Sequence, residues 1–399
     1  GLLKGAAISS DTYASGHAGR VEVNAQTVTI EGGSSKYPTG ITSHSIENST
    51  GDAGSVVVNA SSALRLLGGG VVTSGTAGSG RGGEVLVKAG SIEVSGEGSQ
   101  IGAVASAKSS GQPGNVTVVG ESTLLLGAGG SLSIENDGNS TQPASVLPSL
   151  LSVQAAQLSL RDAGAIKANA TGNVAAGLLQ IKVGDHLSLD GSSINTSANS
   201  GNGGPISISV GELLTLSRSQ ITTSVLGTAG SGGDIHVGTN ALVMNSGFIQ
   251  ANTAASNASG GLVNIDVQTL VASGNTLFVG GQTPYEFAPG VFGFNVVQAA
   301  APTGVSGAIA ITSPVLDVSG SLRGLDAQVL ASGGLGRNPC QTTGGSSLVQ
   351  IGRGGLPASG RGLLGGDMVI PAADVAPQWP LPGPPKATAP AWLRTGGCK

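Results

Sequence analysis

Four histidines, His17, His44, His186 and His236, are the side chains in this sequence best suited to moving protons near neutral pH. None stands in a recognisable catalytic pattern. His236 lies between Ile235 and Val237 in an alternating run, so it points outward from a strand. His17 sits in a Gly turn. No spacing pairs His44 or His186 with a carboxylate or serine, and Asp185-His186 is the nearest approach to a metal or triad pair. Glycan-cleaving sites need clustered carboxylates, usually with a basic group and an aromatic platform. One repeated position tests for such a cluster, and it holds Arg20, Ser55, Glu84, Asn115, Pro205 and Asp234, a solvated mixture rather than an acidic stripe. Asp185, Asp190 and Asp266 fall at different places in their repeats. The phosphate-binding G-x-x-x-x-G-K-[ST] loop and the calcium nonapeptide G-G-x-G-x-D are both absent from the sequence. No catalytic, cofactor or metal site is therefore expected.

Two other residue groups stand out. Phe278, Tyr285, Phe287, Phe292 and Phe294 crowd into residues 275–303, although the whole chain has only five Phe and three Tyr. They form either a flap that packs on or caps the molecule, or an exposed binding loop, because aromatic side chains concentrate at contact sites. The only two cysteines, Cys340 and Cys398, are either one disulfide, as in many secreted proteins, or two thiols. Sequons at Asn48, Asn59, Asn115, Asn139, Asn169, Asn195 and Asn257 are weak glycosylation signals in a chain so rich in Ser and Thr.

What must hold these residues is a repetitive chain. Gly contributes 69 of 399 residues, charged residues 10% and aromatic residues 3%, which is strand-and-turn material rather than a compact globular core. The formal net charge of -4 is dispersed and no basic run occurs, which argues against a nucleic-acid partner. No stretch is long and apolar enough for a transmembrane helix. Residues 1–15 look like the last strand of a preceding coil, so the natural protein is expected to extend further, with any secretory signal upstream.

The repeat opens with G-x-x-G followed by apolar-x-apolar. It is clear at Gly16/Gly19, Gly51/Gly54, Gly80/Gly83, Gly111/Gly114, Gly201/Gly204, Gly230/Gly233 and Gly304/Gly307, and degraded near Gly177 and at Gly260-Gly261. Between Gly114 and Gly177 two units fit, the hidden one running through Leu150–Val153, Leu158–Leu160 and Ile166. Each unit carries three period-2 segments, which predicts three short strands. Units of about 28 residues are too short for propeller blades. The expected fold is all-β: a right-handed parallel β-helix over residues 1–330, interrupted by the insertion at 275–303, with stacked Val, Ile and Leu inside and a Pro/Gly-rich irregular tail over residues 331–399. Glycine at the turns is expected to supply positive φ.

With these coils, Asp317-Val-Ser-Gly-Ser-Leu322, Arg337-Asn-Pro-Cys340 and Ser346-Ser-Leu-Val-Gln-Ile-Gly-Arg-Gly-Gly-Leu-Pro357, the sequence resembles the filamentous-haemagglutinin-like large exoproteins of two-partner secretion. It departs from them at Ala358-Ser359-Gly360, where the family continues with Pro. The resemblance implies an adhesin or surface exoprotein, exported by an outer-membrane transporter, extracellular or attached to the surface of a Gram-negative bacterium, and a structural protein rather than an enzyme. It also implies that a Cys340–Cys398 loop would serve as a surface anchor. A glycan-binding or glycan-cleaving β-helix is the alternative. The host or surface ligand is not specified by any motif.

Overall fold

The computed structural model describes residues 1–33 and 38–313. The cysteines, the tail at 331–399 and the expected β-helix boundary at 330 lie outside the described residues.

The described residues form a parallel β-solenoid of about nine turns, each about 29 residues long. Val116–Gly127 and Ser131–Asn136 illustrate one coil. The first strand pairs in parallel with Val85–Ser95 below and Leu150–Arg161 above. The second pairs with Gln100–Ala105 and Ala165–Ala170. Stacking of such pairs generates a twelve-stranded sheet of long strands and a thirteen-stranded sheet of short ones. The register Val116↔Leu151↔Leu179 places the hidden unit where the spacing put it.

The three expected segments are present, but in most coils the first two run as one long strand. A bulge between them bends the strand, at Ala25/Thr27, Ala60/Ala63, Ala89/Ser91 and Ala155/Gln157. Ala60, Ala89 and Ala155 are buried at this bend, and Val183, Val210 and Val267 take the same place in later coils. In the coil containing Ile206–Val210 and Leu213–Ser217 the two segments separate into distinct strands.

The interior is a set of aliphatic ladders. In the illustrative coil Val116, Val118, Leu124, Leu126, Leu132 and Ile134 are at most 1% exposed. Each such side chain stabilises by about 1.5–3 kcal/mol through removal from water. Alternate residues face outward, as the period of two requires. The interior ladder of the short sheet changes chemistry at one column. Ser10, Ser43 and Ser74 occupy it, and their hydroxyl oxygens accept from the backbone N–H of Gly19, Gly54 and Gly83. Thr196 and Thr223 occupy the same column and donate to the carbonyls of Gly204 and Gly233. These hydroxyls tie the short sheet to the turn that opens the next coil.

Glycines of the turns between long and short strands, among them Gly68, Gly96, Gly129 and Gly191, have the expected positive φ, but the signature glycines mostly serve a different purpose. Of the G-x-x-G signature residues only Gly201 and Gly230 have positive φ, at 98° and 117°. Apart from Gly16 and Gly19 in the first coil, the others are required by close approach. A Cβ at Gly54 would lie 2.0 Å from the Gly19 carbonyl oxygen, and one at Gly83 would lie 2.0 Å from that of Gly54. The first glycines stack in the same way, Gly51 over Gly16 and Gly80 over Gly51. Two glycine columns thus run beside the ladders, with backbone packed on backbone.

The long sheet passes from Val263 directly to Ile309, and the insertion lies between. Asn295–Gln298 continues the short sheet from Phe248–Gln250, and Leu277–Val279 adds one more rung beyond it.

Gly54→Ala and Gly83→Ala should each destabilise their coils by about 1–3 kcal/mol through forced backbone displacement. Gly16→Ala, in the same signature but with nothing within 4 Å of its added Cβ, should be neutral. Hydrogen exchange of the flanking strands measures the difference.

Candidate functional site

The insertion folds back along the rod. Phe248 explains where it lands. Period-2 alternation points Ile249 inward and Phe248 outward, in the column of Ser193 and Gln220. An outward Phe in a polar column would be exposed, yet Phe248 is fully buried. Phe287 and Phe294 cover it edge-on, each with ring centroids 5.2 Å away. Phe294 also meets Phe278 at 5.3 Å and Tyr285 at 5.7 Å. Edge-to-face pairs of this kind contribute about 0.5–1.5 kcal/mol each beyond area burial. Four of the five aromatic residues singled out from the sequence therefore converge. The fifth, Phe292, is 76% exposed. Phe248 was the missed member, and its outward register in Gly247-Phe-Ile-Gln250 was the available signal.

Buried amides staple the flap. The Gln298 side chain accepts from the Tyr285 N–H at 2.9 Å and from the amides of Gln250 and Asn252, and donates to the carbonyls of Gly280 and Thr283. Gln250 donates to the Tyr285 carbonyl. Asn295 donates to the carbonyls of Ser273 and Thr276 and accepts from the Gly247 N–H. A buried amide stripped of such partners costs about 1–3 kcal/mol, so these residues hold the flap in one pose.

Beyond Phe248 the flap overhangs the corner that joins the long and short strands. A cleft of about 560 Å³ opens there. Phe287, Pro289 and Gly290 form one wall. Asp162, Asp190, Ser192, Ser193, Arg218 and Gln220, from three successive coils, form the other. Arg218 donates to Asp190 Oδ1 from Nη2 at 2.6 Å and from Nε at 3.1 Å. Both groups are about half exposed, so the pair itself adds at most about 1 kcal/mol.

The other sequence candidates occupy structural posts. Asn115 and Asp234, at the position tested for an acidic stripe, each accept the N–H of the aligned residue one coil on, Leu150 and Leu262. In the degraded units that position is Leu150, Leu178 and Leu262, which with Pro205, His236 and Asn264 line a shallow apolar groove on the long sheet. His236 is exposed, as its alternation indicated. His17 Nδ1 accepts the Asp52 N–H at 3.0 Å. His17 Nδ1 also lies 3.5 Å from Asp52 Oδ2, and two further histidines have carboxylate partners that linear spacing hid. His44 Nδ1 lies 3.5 Å from Asp11 Oδ1 and His186 Nε2 lies 3.7 Å from Glu212 Oε2, each one coil away. Asp185 does not take part: its carbonyl accepts the Glu212 N–H. Among the described residues no group of three or more metal-ligating side chains converges.

No protein-family model, curated protein or solved structure matches the chain. What the flap and its cleft can do is therefore argued from their chemistry.

Phe248→Ala should cost about 3–5 kcal/mol by leaving a cavity under two rings. Hydrogen exchange should show protection lost across 277–298 and kept in the ladder at 150–190. Burial holds the His44 imidazole below its ordinary value of 6.5, with the Asp11 carboxylate opposing that shift. The unfolded chain then binds the proton at higher pH than the folded one. His44 thus contributes full stability above pH 6.5 and progressively loses it as pH falls through the folded value. His44→Gln should flatten this acid limb in thermal melts from pH 7 to pH 5.

Proposed function

We propose that the chain is the shaft of a secreted surface adhesin, delivered by an outer-membrane transporter of a two-partner system and acting outside a Gram-negative cell. The supporting observation is the uninterrupted ladder through about nine turns, with every coil hydrogen-bonded to the next. A solenoid of this kind is rigid along its axis and multiplies exposed surface without a deep core. Its coils contact only their neighbours, so it can fold progressively as it emerges from a pore, with no need for the whole chain at once. The G-x-x-G coils and the Arg337–Pro357 motifs carry the family part of the reading. The shaft works by length and display, and catalysis has no part in it.

The cleft between flap and corner favours the second reading, a glycan-binding β-helix, because it places carboxylates, a guanidinium and an aromatic ring together. Cleavage fits less well, since Asp190 is engaged by Arg218.

The test is attachment. The complete chain is produced in a Gram-negative host with and without its transporter. The expected outcome is transporter-dependent arrival at the surface and adhesion of the cells to epithelial or abiotic surfaces, reduced to background when the transporter is omitted. Release of reducing ends from a polysaccharide by the purified chain would replace the adhesin with an enzyme, and surface arrival without adhesion would also overturn it.

A further inference from the structure

We infer that the cleft between the flap and the corner of the rod is a binding site for a neutral saccharide, which makes it the recognition point of the proposed adhesin; the inference rests on that reading for its biological role but not for its chemistry.

The first support is the composition of the walls. A sugar ring presents hydroxyls around its edge and C–H groups on its faces. It needs acceptors and donors in a ring and one apolar plane. Asp162 and Asp190 accept; Arg218 donates; Gln220 and Ser193 do both. Phe287 and Pro289 supply the apolar side. The Phe287 ring is held edge-on by Phe248, with interplanar angle 80°, so its orientation is set before any ligand arrives. The volume lies within the range of small-molecule sites. Two carboxylates face one guanidinium, which disfavours uronic acids, sulfated sugars and phosphate.

The second support is the backbone beneath the polar wall. Asp162, Ala163 and Arg218 adopt φ of 50°, 63° and 49°. The corner between them is Gly191, at 60°. Glycine is the relaxed choice at such an angle, and a non-glycine residue there is held at a cost. The same corner is non-glycine at Lys4, Ala128 and Ser246 in other coils; here its two charged side chains, Asp162 and Arg218, line the cleft. Their positions are fixed by bonds between coils: the Asp162 N–H donates to the Asp190 carbonyl, Gly191 to that of Ser217, and Arg218 to that of Asn245. The backbone of the polar wall is thus preorganised, which lowers the ordering that binding requires.

The test uses the complete chain, titrated calorimetrically and by amide NMR with maltotriose, cellotriose and triacetylchitotriose as neutral probes and trigalacturonic acid as the anionic one. At least one neutral probe should bind, with shifts confined to residues 162–163, 190–193, 218–220 and 287–290. Arg218→Gly and Asp162→Asn should each weaken it about tenfold or more. Both residues accept positive φ, so melting should be unchanged or raised. Lys4→Gly, which relieves the same kind of corner far from the cleft, should leave binding unchanged. The inference is overturned if no neutral probe binds at up to about 10 mM, if Arg218→Gly binds as well as the native chain, if trigalacturonic acid binds as tightly, or if the shifts fall in the groove at Leu178 and Leu262. Attachment that survives Arg218→Gly at full strength overturns the cleft as recognition point and leaves the adhesin standing. Saccharide binding by a chain that attaches to nothing supports the cleft and overturns the adhesin.

Discussion

Adjacent coils lie one strand spacing apart, about 4.8 Å, and the rest of the molecule is fitted to that distance. The backbone ladders demand it over their whole length, so it must also hold at the turns, where there is no ladder to enforce it. The glycine columns meet this demand. Gly16, Gly51 and Gly80 stack on one another, as do Gly19, Gly54 and Gly83, and a Cβ at Gly51, Gly54, Gly80 or Gly83 would enter the carbonyl oxygen of the coil before. Side-chain oxygens meet it elsewhere. Asp52, Asn115 and Asp234 each accept an N–H from the next coil, extending the ladder through side chains where backbone carbonyls do not reach. Serine and threonine hydroxyls inside the short sheet close the remaining turn bonds.

A structure built on one repeated spacing leaves little freedom in its body. Interior residues are mostly aliphatic, with Ser and Thr mainly in the short sheet, and outward residues are stacked in columns of fixed spacing. Chemistry has to come from what departs from the repeat. The insertion is the largest departure. It brings aromatic rings to an outer face that is otherwise polar and is tied there through the buried amides of Gln250, Asn295 and Gln298. The corner beneath it belongs to the repeat, since Lys4, Gly68, Ala128, Gly191 and Ser246 take the same positive φ in other coils, but only at Asp162 and Arg218 does it present charged side chains to the flap. The cleft forms where the insertion crosses those charged corners.

The alternation of apolar residues and the G-x-x-G spacing determined the fold class, the coil length, the hidden coil around Leu150 and the place of the insertion. This was legible because each coil contacts only its neighbours, and a contact between neighbours in a solenoid is a fixed offset in the chain. The same offset contained the His44–Asp11 and His186–Glu212 pairs, one coil apart, but reading them requires the true register across the bulges and loops of unequal length. The role of the signature glycines was hidden for a related reason: positive φ and close backbone approach both select glycine, and only the stacked carbonyls tell them apart. The outward register of Phe248 was legible in the alternation, but what covers it, and the cleft, depended on the tertiary structure alone. The flap folds back over coils some distance earlier in the chain, to Gln220, Arg218 and Asp162. That return path is set by ring packing and buried amides rather than by any period, so nothing in the local pattern specifies it.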